Sequence, residues 1–395
     1  MTAEVKPYRT MARTALIALF MGLTSAHACA ASYTVTDLGT LGYDSYAQAI
    51  NSFGQVAGWY YTRKTRLKNG QVVGTDPHAF IWQNGIMTDL GDLPGSNDFS
   101  KAYGINASGQ VVGYSYTSSG GGDPHTFLWQ NGTMTDLGTL SGSNGYSYGQ
   151  GINSSGQVVG SSNTPWSDNT GSVSHAFLYD NGKFVDLGAL QGSVVRAMSS
   201  YGQAINSSGQ VTGSSWIDGN AHHHAFLFSN GTMTDLGRLP GGTESYGYAI
   251  NDSGQVTGKS SGHAFLWQNG TMTDLGTLGG YESIGYGINA TGQVVGTSYM
   301  SGYAGQSAFI YNNGVMTNLN ELIDPASGWN LNEANAINDV GQIVGWGWRT
   351  YLGETHGFLL TPVPEPHIFA LMLAGLGFVG AVGHRRRRRM DMRHA

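Results

Sequence analysis

The sequence predicts an all-β protein, a seven-bladed β-propeller with four strands in each blade. Three observations carry this prediction. Three short phrases each occur seven times, paired turn signals divide each copy into four strands, and the array begins and ends at different points of the copy. A period of roughly 40–50 residues made of short strands and tight turns is typical of propeller blades.

The repeated phrases are Ile-Asn-x-x-Gly-Gln-Val/Ile-x-Gly, then His-Ala-Phe-Leu-Trp or a variant, then Met-Thr-Asp-Leu-Gly or a variant. The first begins at Ile50, Ile105, Ile152, Ile205, Ile250, Ile288 and Ile337. The second begins at His78, His125, His175, His224, His263, Ser307 and His356. The third places its acidic position at Asp37, Asp89, Asp136, Asp186, Asp235, Asp274 and Asn318. Each set of three phrases defines one module.

Two turns inside each module predict two hairpins. The run from Asn153 to Gln157 has Asn at the first and Gly at the fourth position of a type I turn, where each residue type is favoured. The pair Asn131-Gly132 suits a two-residue type I′ hairpin. Two hairpins give four strands in a module whose mean length is about 48 residues.

The ends of the array predict how the ring closes. The first module is preceded by an isolated third phrase around Asp37, and the last module stops after its second phrase at His356. The N-terminal strand is therefore expected to complete the last blade and to leave no open edge. An open β-solenoid is the alternative architecture.

Composition and charge exclude several other classes. The chain of 395 residues contains 61 Gly, with 11% charged and 40% hydrophobic residues, which argues against long helices and against charged disorder. Residues 31–361 contain ten Lys and Arg against 22 Asp and Glu, a net charge near −12. Such a body repels a phosphate backbone, so we expect no nucleic-acid partner.

Residues 1–30 have the pattern of a secretory signal peptide, with a basic start, an apolar run over 15–23 and small residues up to Ala30. The apolar run predicts a signal helix, and cleavage is expected before Ala31. Cleavage there removes Cys29 and leaves a mature chain without cysteine. A start at Met11 and a lipoprotein acylated at Cys29 are the alternatives.

The C-terminal segment 362–395 predicts membrane targeting. It contains the sequence Val-Pro-Glu-Pro, an uncharged apolar run over 368–382 of marginal transmembrane length, and a basic tail. Its motif residues are Pro364, Glu365, Pro366, Arg385, Arg386, Arg387, Arg388 and Arg389. This arrangement resembles the PEP-CTERM sorting signal of Gram-negative bacteria. The resemblance implies a transmembrane helix that anchors the chain transiently in the inner membrane, and recognition by an exosortase that removes the tail. A plain C-terminal membrane anchor is the alternative.

The repeated second phrase resembles the HAF repeat family of secreted bacterial proteins over about residues 33–360. Departures from His-Ala-Phe occur at Thr126, Ser307 and Gly357. The family implies an extracellular location and supplies no established chemistry.

Six modules carry a His and an Asp that face each other diagonally across the predicted hairpin. Sevenfold symmetry places the histidines too far apart to share one metal ion, so we expect structural His–Asp hydrogen bonds and no metal site. The predicted pairs are His78–Asp89, His125–Asp136, His175–Asp186, His224–Asp235, His263–Asp274 and His356–Asp37. The module with Ser307 also has Asn318, which favours pairing. The run His222-His223-His224 is expected in a solvated loop ahead of its strand, with weak metal binding as the alternative.

The segments between the second strand and the His-Ala-Phe strand vary most in length, and variable loops on a rigid scaffold are the usual binding positions in propellers. Aromatic residues recur there, and the first of these loops is also basic, which indicates contact with an acidic polysaccharide or an anionic surface. The candidate ligand contacts are Trp59, Tyr61, Arg63, Lys64, Arg66, Tyr116, Trp166, Trp216, Tyr299 and Trp348. The alternatives are blade packing for the aromatic rings and a solvated loop for the cations.

No nucleophile elbow, phosphate loop, zinc-ligand spacing or EF-hand loop occurs in the sequence. We therefore predict an exported, non-enzymatic binding or structural protein of the outer cell surface or extracellular matrix, without a catalytic residue or cofactor. Its expected partners are an exosortase and an exopolysaccharide. The alternatives are a polysaccharide lyase or glycosidase and a protein-interaction scaffold on the same propeller.

Overall fold

The computed structural model describes residues 32–66, 72–96, 99–117, 122–142, 145–168, 171–190, 198–217, 222–303 and 305–364. These residues form 28 β-strands and three short 3-10 helices. The strands assemble into seven antiparallel sheets of four strands each, which confirms the predicted seven-bladed β-propeller.

The strands of the first four blades follow the chain in order. Blade one contains β2 (Ser45–Ile50), β3 (Val56–Arg66), β4 (Val72–Gln83) and β5 (Ile86–Asp89). Blade two contains β6 (Ser100–Ile105), β7 (Val111–Tyr116), β8 (Pro124–Gln130) and β9 (Thr133–Gly138). Blade three contains β10 (Ser147–Ile152), β11 (Val158–Asp168), β12 (Gly171–Asp180) and β13 (Lys183–Asp186). Blade four contains β14 (Ser200–Ile205), β15 (Val211–Ile217), β16 (His222–Ser229) and β17 (Thr232–Asp235).

The last three blades complete the ring. Blade five contains β18 (Ser245–Ile250), β19 (Val256–Ser260), β20 (His263–Gln268) and β21 (Thr271–Asp274). Blade six contains β22 (Gly279–Ile288), β23 (Val294–Met300), β24 (Gln306–Asn312) and β25 (Val315–Asn318). Blade seven contains β26 (Trp329–Ile337), β27 (Ile343–Arg349), β28 (Glu354–Pro362) and the N-terminal β1 (Tyr33–Asp37). The 3-10 helices are Ser301–Tyr303, Leu319–Glu321 and Pro325–Ser327.

The N-terminal strand closes the ring as predicted. β1 pairs antiparallel with β28, from Tyr33 opposite Pro362 to Asp37 opposite Phe358. The first strand of the chain is the outer strand of the last blade. Both ends of the array therefore contribute strands to that blade.

The core lies between neighbouring blades. The Phe of the second phrase is completely buried in every blade: Phe80, Phe127, Phe177, Phe226, Phe265, Phe309 and Phe358. Val159 and Ala176 of blade three, for example, pack against Val211 and Phe226 of blade four. Each blade is therefore buried on both faces, and this burial explains the low content of charged residues.

The Asn of the first phrase organises each turn and also links the blades. In blade three the Asn153 side-chain oxygen accepts from the backbone N–H groups of Ser155 and Gln157, as in an Asx turn. Its Nδ2 donates to the Gln157 side chain and to the backbone oxygen of Asn206 in the next blade, 3.1 Å away.

The same inter-blade hydrogen bond is present at all seven positions. It runs from Asn51 through Asn106, Asn153, Asn206, Asn251, Asn289 and Asn338 and back to Asn51, with N–O distances of 2.9–3.4 Å. We call this closed circle the Asn ring.

The predicted signal peptide, residues 1–30, lies outside the described residues. So do Glu365, Pro366, the five arginines at 385–389 and the apolar run at 368–382. Within the described ranges no helix is long and apolar enough to cross a membrane.

Candidate functional site

The two ends of the ring differ in their connections. The turn face carries the Asn-x-x-Gly and Asn-Gly turns, such as residues 51–55 and 84–85 in blade one. The loop face, at the opposite end, carries the connections from the second to the third strand and those between blades. The variable segments all lie on the loop face.

Every innermost strand contains a β-bulge at the same position. The register between the first and second strands shifts around one residue in each blade, which leaves that residue outside the ladder and turns it toward the propeller axis. The seven bulged residues, which we call the bulge ring, are Gln48, Tyr103, Gln150, Gln203, Tyr248, Tyr286 and Asn335.

The last Gly of the first phrase permits this bulge. A Cβ on Gly160 would overlap the backbone oxygen of Tyr148 on the neighbouring strand, and the equivalent Gly113 meets Lys101 in the same way. Strands one and two approach too closely here for any side chain, so the bulge requires glycine at this position of the second strand.

The bulge ring surrounds a cavity of about 250 Å³ on the axis. All seven ring residues line it, together with Glu333, which lies two residues before Asn335. Glu333 accepts a hydrogen bond from Trp346 Nε1 at 2.9 Å, and burial raises the pKa of its carboxyl above the usual value. A second cavity of about 210 Å³ lies along the same axis and shares the ring.

Aromatic side chains run along the loop face across blades seven, one, two and three. We call this set the aromatic arc: Trp346, Tyr46, Trp59, Phe99, Tyr114 and Tyr148. Successive ring centroids along it lie 4.1–5.8 Å apart, except between Trp59 and Phe99. Lys101 bridges that step, with its Nζ 4.0 Å from the Trp59 ring centroid and 5.8 Å from that of Phe99.

Burial shifts the pKa values of three groups in the arc in the direction that favours their neutral forms. Burial raises the pKa of the Tyr46 and Tyr114 phenols, so both remain protonated hydrogen-bond donors. Burial also lowers the pKa of the Lys101 ammonium group. The surface is therefore aromatic, half-buried and weakly charged.

The predicted ligand-contact aromatics fall into two groups. Trp59 belongs to the arc, and Tyr61 and Tyr116 pack edge-on against Trp59 and Phe99 at 5.1 and 4.6 Å. On the other side of the ring, Trp216 packs against His223 and Tyr299 against Tyr281, with centroids 3.9 and 4.5 Å apart.

Two further predicted aromatics belong to neither group. Trp348 is 44% exposed at the end of β27. The side chain of Trp166 lies outside the described part of the chain.

The first long loop is less basic in effect than its sequence indicates. Arg63 lies 3.7 Å from Asp76, and Lys64 lies 3.8 Å from Glu354 of blade seven. Lys64 also lies 4.8 Å from the Tyr43 ring centroid. These contacts offset the two charges, and the side chain of Arg66 lies outside the described part of the structure.

All six predicted His–Asp pairs are in hydrogen-bond contact. In each, His Nδ1 lies 2.8–3.0 Å from the nearest carboxylate oxygen, in the pairs His78–Asp89, His125–Asp136, His175–Asp186, His224–Asp235, His263–Asp274 and His356–Asp37. In blade six, Ser307 and the side-chain nitrogen of Asn318 both contact Met300 Sδ instead. Among the described residues, no cluster of three or more His, Cys, Asp or Glu is placed to bind a metal ion.

The hydrogen bond shifts the pKa values of both the His and the Asp. The hydrogen bond with Asp136 raises the pKa of His125, and Asp37 does the same for His356. Burial alone would raise the pKa of Asp136, but the hydrogen bonds from His125 and the Gly138 N–H outweigh it and lower that pKa.

The expectation of a solvated loop at His222-His223-His224 was wrong, because all three residues belong to β16. His223 is half-buried beside the rings of Trp216 and Tyr246, at 3.9 and 5.1 Å. Burial lowers the pKa of His223, so it packs as a neutral ring.

Sequence reasoning missed the bulge ring, Glu333 and Lys101. A signal was available, since the residue two before the Ile of every first phrase is Gln, Tyr or Asn, whereas its neighbours are mostly Gly or Ala. Strict alternation of side chains along a strand does not place this residue on the axis, because the bulge alters the register.

Sequence comparison identifies two segments. Residues 60–192 match the family described as a protein of unknown function (DUF3466). Residues 362–388 match the PEP-CTERM protein-sorting motif, which confirms the predicted sorting signal. This motif indicates export to the cell surface through an exosortase. The resemblance to HAF repeats stays a prediction, and comparison with curated proteins gives no significant match.

Comparison of structures finds other propellers at low identity. Trypanosoma rangeli sialidase in complex with the inhibitor DANA is 10% identical with a TM-score of 0.38, over 84% of this chain and 57% of the sialidase chain. The β-propeller domain of the Trilobed protease from Pyrococcus furiosus is 9% identical (TM-score 0.36, 70% of this chain and 98% of that one). The six-bladed Aleuria aurantia lectin is 10% identical (TM-score 0.28, 85% and 97%). This chain thus spans little more than half of the sialidase.

Proposed function

We propose that this protein is a non-enzymatic binding protein of the outer cell surface or extracellular matrix of a Gram-negative bacterium, and that it holds exopolysaccharide on its loop face. The aromatic arc is the observation that carries the proposal. Sugar rings stack their C–H faces on aromatic rings, and their hydroxyl groups bond to neighbouring polar side chains. Six aromatic residues in an unbroken series with Lys101 offer several consecutive stacking positions.

Charge favours a neutral or weakly charged polysaccharide. Residues 31–361 are acidic, with 22 Asp and Glu against ten Lys and Arg, so a strongly anionic polymer is repelled at long range. In the described part of the first loop, Arg63 and Lys64 are offset by Asp76 and Glu354. Lys101 is the cation that lies within the arc.

The sorting motif supports the location. An exosortase recognises the C-terminal signal and removes the tail, so the membrane anchor is transient. The propeller then remains on the outer side of the cell, where exopolysaccharide is present.

Two rival functions predict different observations. Hydrolysis by paired carboxylates needs two carboxyl groups across the scissile bond, and among the described residues that line the axial cavity Glu333 is the only carboxylate. A protein-interaction scaffold would bind protein partners in pull-downs and would give no signal on a glycan array.

The test replaces one aromatic residue on each face with serine. Trp59→Ser places in blade one the residue that blades three and four carry at this position, Ser161 and Ser214. Affinity for exopolysaccharide isolated from the bacterium that makes this protein is expected to fall about tenfold, because loss of a central aromatic contact costs about 1–2 kcal/mol. Binding isotherms by isothermal titration measure the change.

The matched control is Phe53→Ser on the turn face. Phe53 is 77% exposed, and the same turn position is Ser155 in blade three. Affinity should stay within twofold of the wild type. Equal losses in both variants, or chemical turnover of the polysaccharide by the purified protein, would contradict the proposal.

A further inference from the structure

The axial cavity is lined by hydrogen-bonding groups that the protein leaves unused. The side-chain amides of Gln48, Gln150 and Gln203 make no hydrogen bond with the described residues, although they are half-buried around a cavity of about 250 Å³. Each free amide offers two N–H donors and one acceptor oxygen. Asn335, by contrast, donates to the backbone oxygen of Ala47 in blade one and helps to close the ring.

The ring contains two adjacent amide side chains followed by two adjacent phenol rings. Gln150 and Gln203 are contributed by the adjacent blades three and four. Tyr248 and Tyr286 come from the next two blades, with ring centroids 5.5 Å apart. All seven ring side chains are uncharged at neutral pH. A ligand that fits this lining has apolar C–H faces for the phenol rings and several hydroxyl groups for the amides, which describes a neutral pyranose.

The cavity has room for one such unit. Its volume of about 250 Å³ lies somewhat below the roughly 300–1,000 Å³ of pockets for drug-sized molecules. A single sugar residue fits this space.

The wall of the cavity is in contact with the aromatic arc. The Tyr103 ring, in the bulge ring, stacks with that of Tyr114, in the arc, at 5.9 Å with an interplanar angle of 10°. On the other side, Glu333 at the cavity wall accepts from Trp346 at the end of the arc. The arc therefore borders the cavity, and a chain lying on the arc would bring its last residue close to the axis.

We propose that the axial cavity binds the terminal neutral pyranose residue of the polysaccharide, so that the protein recognises chain ends in addition to the surface of the chain. This inference rests on the proposed polysaccharide binding. The amides of Gln48, Gln150 and Gln203 bond to the hydroxyl groups of the terminal residue, and Tyr248 and Tyr286 stack on its C–H faces. Glu333 supplies one further polar contact at the wall.

The test fills the cavity with residues that the chain itself uses. Gln150→Tyr combined with Gln203→Tyr introduces the residue present at the same bulge in Tyr103, Tyr248 and Tyr286, so the bulge is retained. The probes are glucose, galactose, mannose, fucose and rhamnose, each measured by saturation-transfer NMR and titration with the full exported protein. At least one is expected to bind the wild type, and its affinity should fall about tenfold or more in the double variant.

Two controls separate the cavity from the arc. Trp59→Ser should leave monosaccharide binding within twofold and weaken only the polysaccharide. If the double variant fails to fold, Gln48→Ala together with Gln203→Ala removes two amides without adding volume, and the same loss of monosaccharide affinity is expected.

The outcomes are distinguishable. If the polysaccharide binds the wild type but none of the five monosaccharides does, and the double variant binds the polysaccharide equally well, the cavity proposal is overturned and the arc remains. If neither the polysaccharide nor any monosaccharide binds the wild type, the proposed function fails together with the cavity.

Discussion

The turn face and the loop face are built from the same seven modules, yet they differ in which residues repeat. On the turn face the same Asn bonds to the next blade seven times, with N–O distances of 2.9–3.4 Å. On the loop face the position of Trp59 is occupied in later blades by Tyr114, Ser161, Ser214, Lys259, Thr297 and Trp346. The residue that links neighbouring blades is thus the same in all seven modules. The residue at the position of Trp59, on the aromatic surface, differs from module to module.

This difference separates the Asn ring, which is expected to stabilise the fold, from the aromatic arc, which is proposed to bind the ligand. Turn-face substitutions should change the free energy of unfolding with little effect on ligand affinity. Substitutions in the aromatic arc should do the reverse, whereas the His–Asp pairs, whose Asp residues end the fourth strands at the loop face, should affect stability. The following predictions test that separation in order of decreasing effect on stability.

The largest effect is expected from Asn153→Ala. The substitution removes two bonds from Nδ2 and two to Oδ1, and it leaves the buried backbone oxygen of Asn206 without this donor. Loss of several buried hydrogen bonds should lower the free energy of unfolding by about 3 kcal/mol. Urea unfolding measures the change, with polysaccharide affinity unchanged for the folded fraction.

Two other substitutions sharpen this result. Ser154→Ala, in the same turn and exposed, should change stability by less than about 0.5 kcal/mol. Asn206→Ala should cost about as much as Asn153→Ala, because the Asn206 side chain makes the same four hydrogen bonds in the next blade. Equal stability of Asn153→Ala and the wild type would show that the Asn ring does not hold the blades.

A smaller effect is expected from Asp186→Ala. The carboxylate accepts from His175 Nδ1 and from the Gly188 N–H, both at 2.8 Å, but it is 39% exposed. Loss of both bonds at a partly exposed site should cost about 1–2 kcal/mol. Differential scanning calorimetry measures the shift.

Blade six supplies the control for this substitution. There Asn318 keeps the bond from a backbone N–H, that of Asn320, at 3.0 Å. Asp186→Asn should therefore lose less stability than Asp186→Ala. The structural role of the pair would be refuted if Asp186→Ala unfolded at the wild-type temperature.

The smallest effect is the dependence of stability on pH. The pKa values of His125 and His356 are raised by their carboxylate partners, so their stabilisation is complete below about 6.5, the unfolded-state value, and is lost as pH rises through the folded-state pKa. The pKa of Asp136 is lowered, so its contribution is present above about 3.9 and is lost as pH falls through the folded-state value. Stability should be greatest between about pH 4 and 6.5.

Urea titrations at pH 5, 7 and 8.5 measure this dependence. The His125→Asn variant should lose part of the decline above neutral pH, by less than about 1 kcal/mol. An unchanged pH profile in the variant would contradict the assigned role of the pair.

The fold could be predicted from the sequence because its signals are local and repeated. Asn-Gly turns, the buried Phe80 and its equivalents, and the displaced strand at Asp37 each follow from chemistry within one module or from the order of modules. Repetition shows the Asn-Gly turn in six blades and the buried Phe in seven.

The site could be predicted only in part. Trp59 and Tyr61 stood out as loop-face aromatics, but Trp59 stacks on Tyr46 and Tyr61 packs edge-on against it, and these contacts between different strands could not be read from spacing. The bulge ring was missed because a bulge is a property of strand pairing, and because its position holds Gln, Tyr or Asn in different modules. Lys101 could not be recognised from the sequence, because its role depends on a contact with Trp59 of another blade.

Hydroxyl-radical footprinting with and without the isolated exopolysaccharide tests the central claim most directly, because it compares aromatic side chains on both faces in one experiment. Binding should lower the oxidation rates of Trp59 and Tyr114 on the loop face and leave that of Phe53 on the turn face unchanged. Protection of Phe53 without protection of Trp59 and Tyr114 would place the ligand on the wrong face and contradict the account.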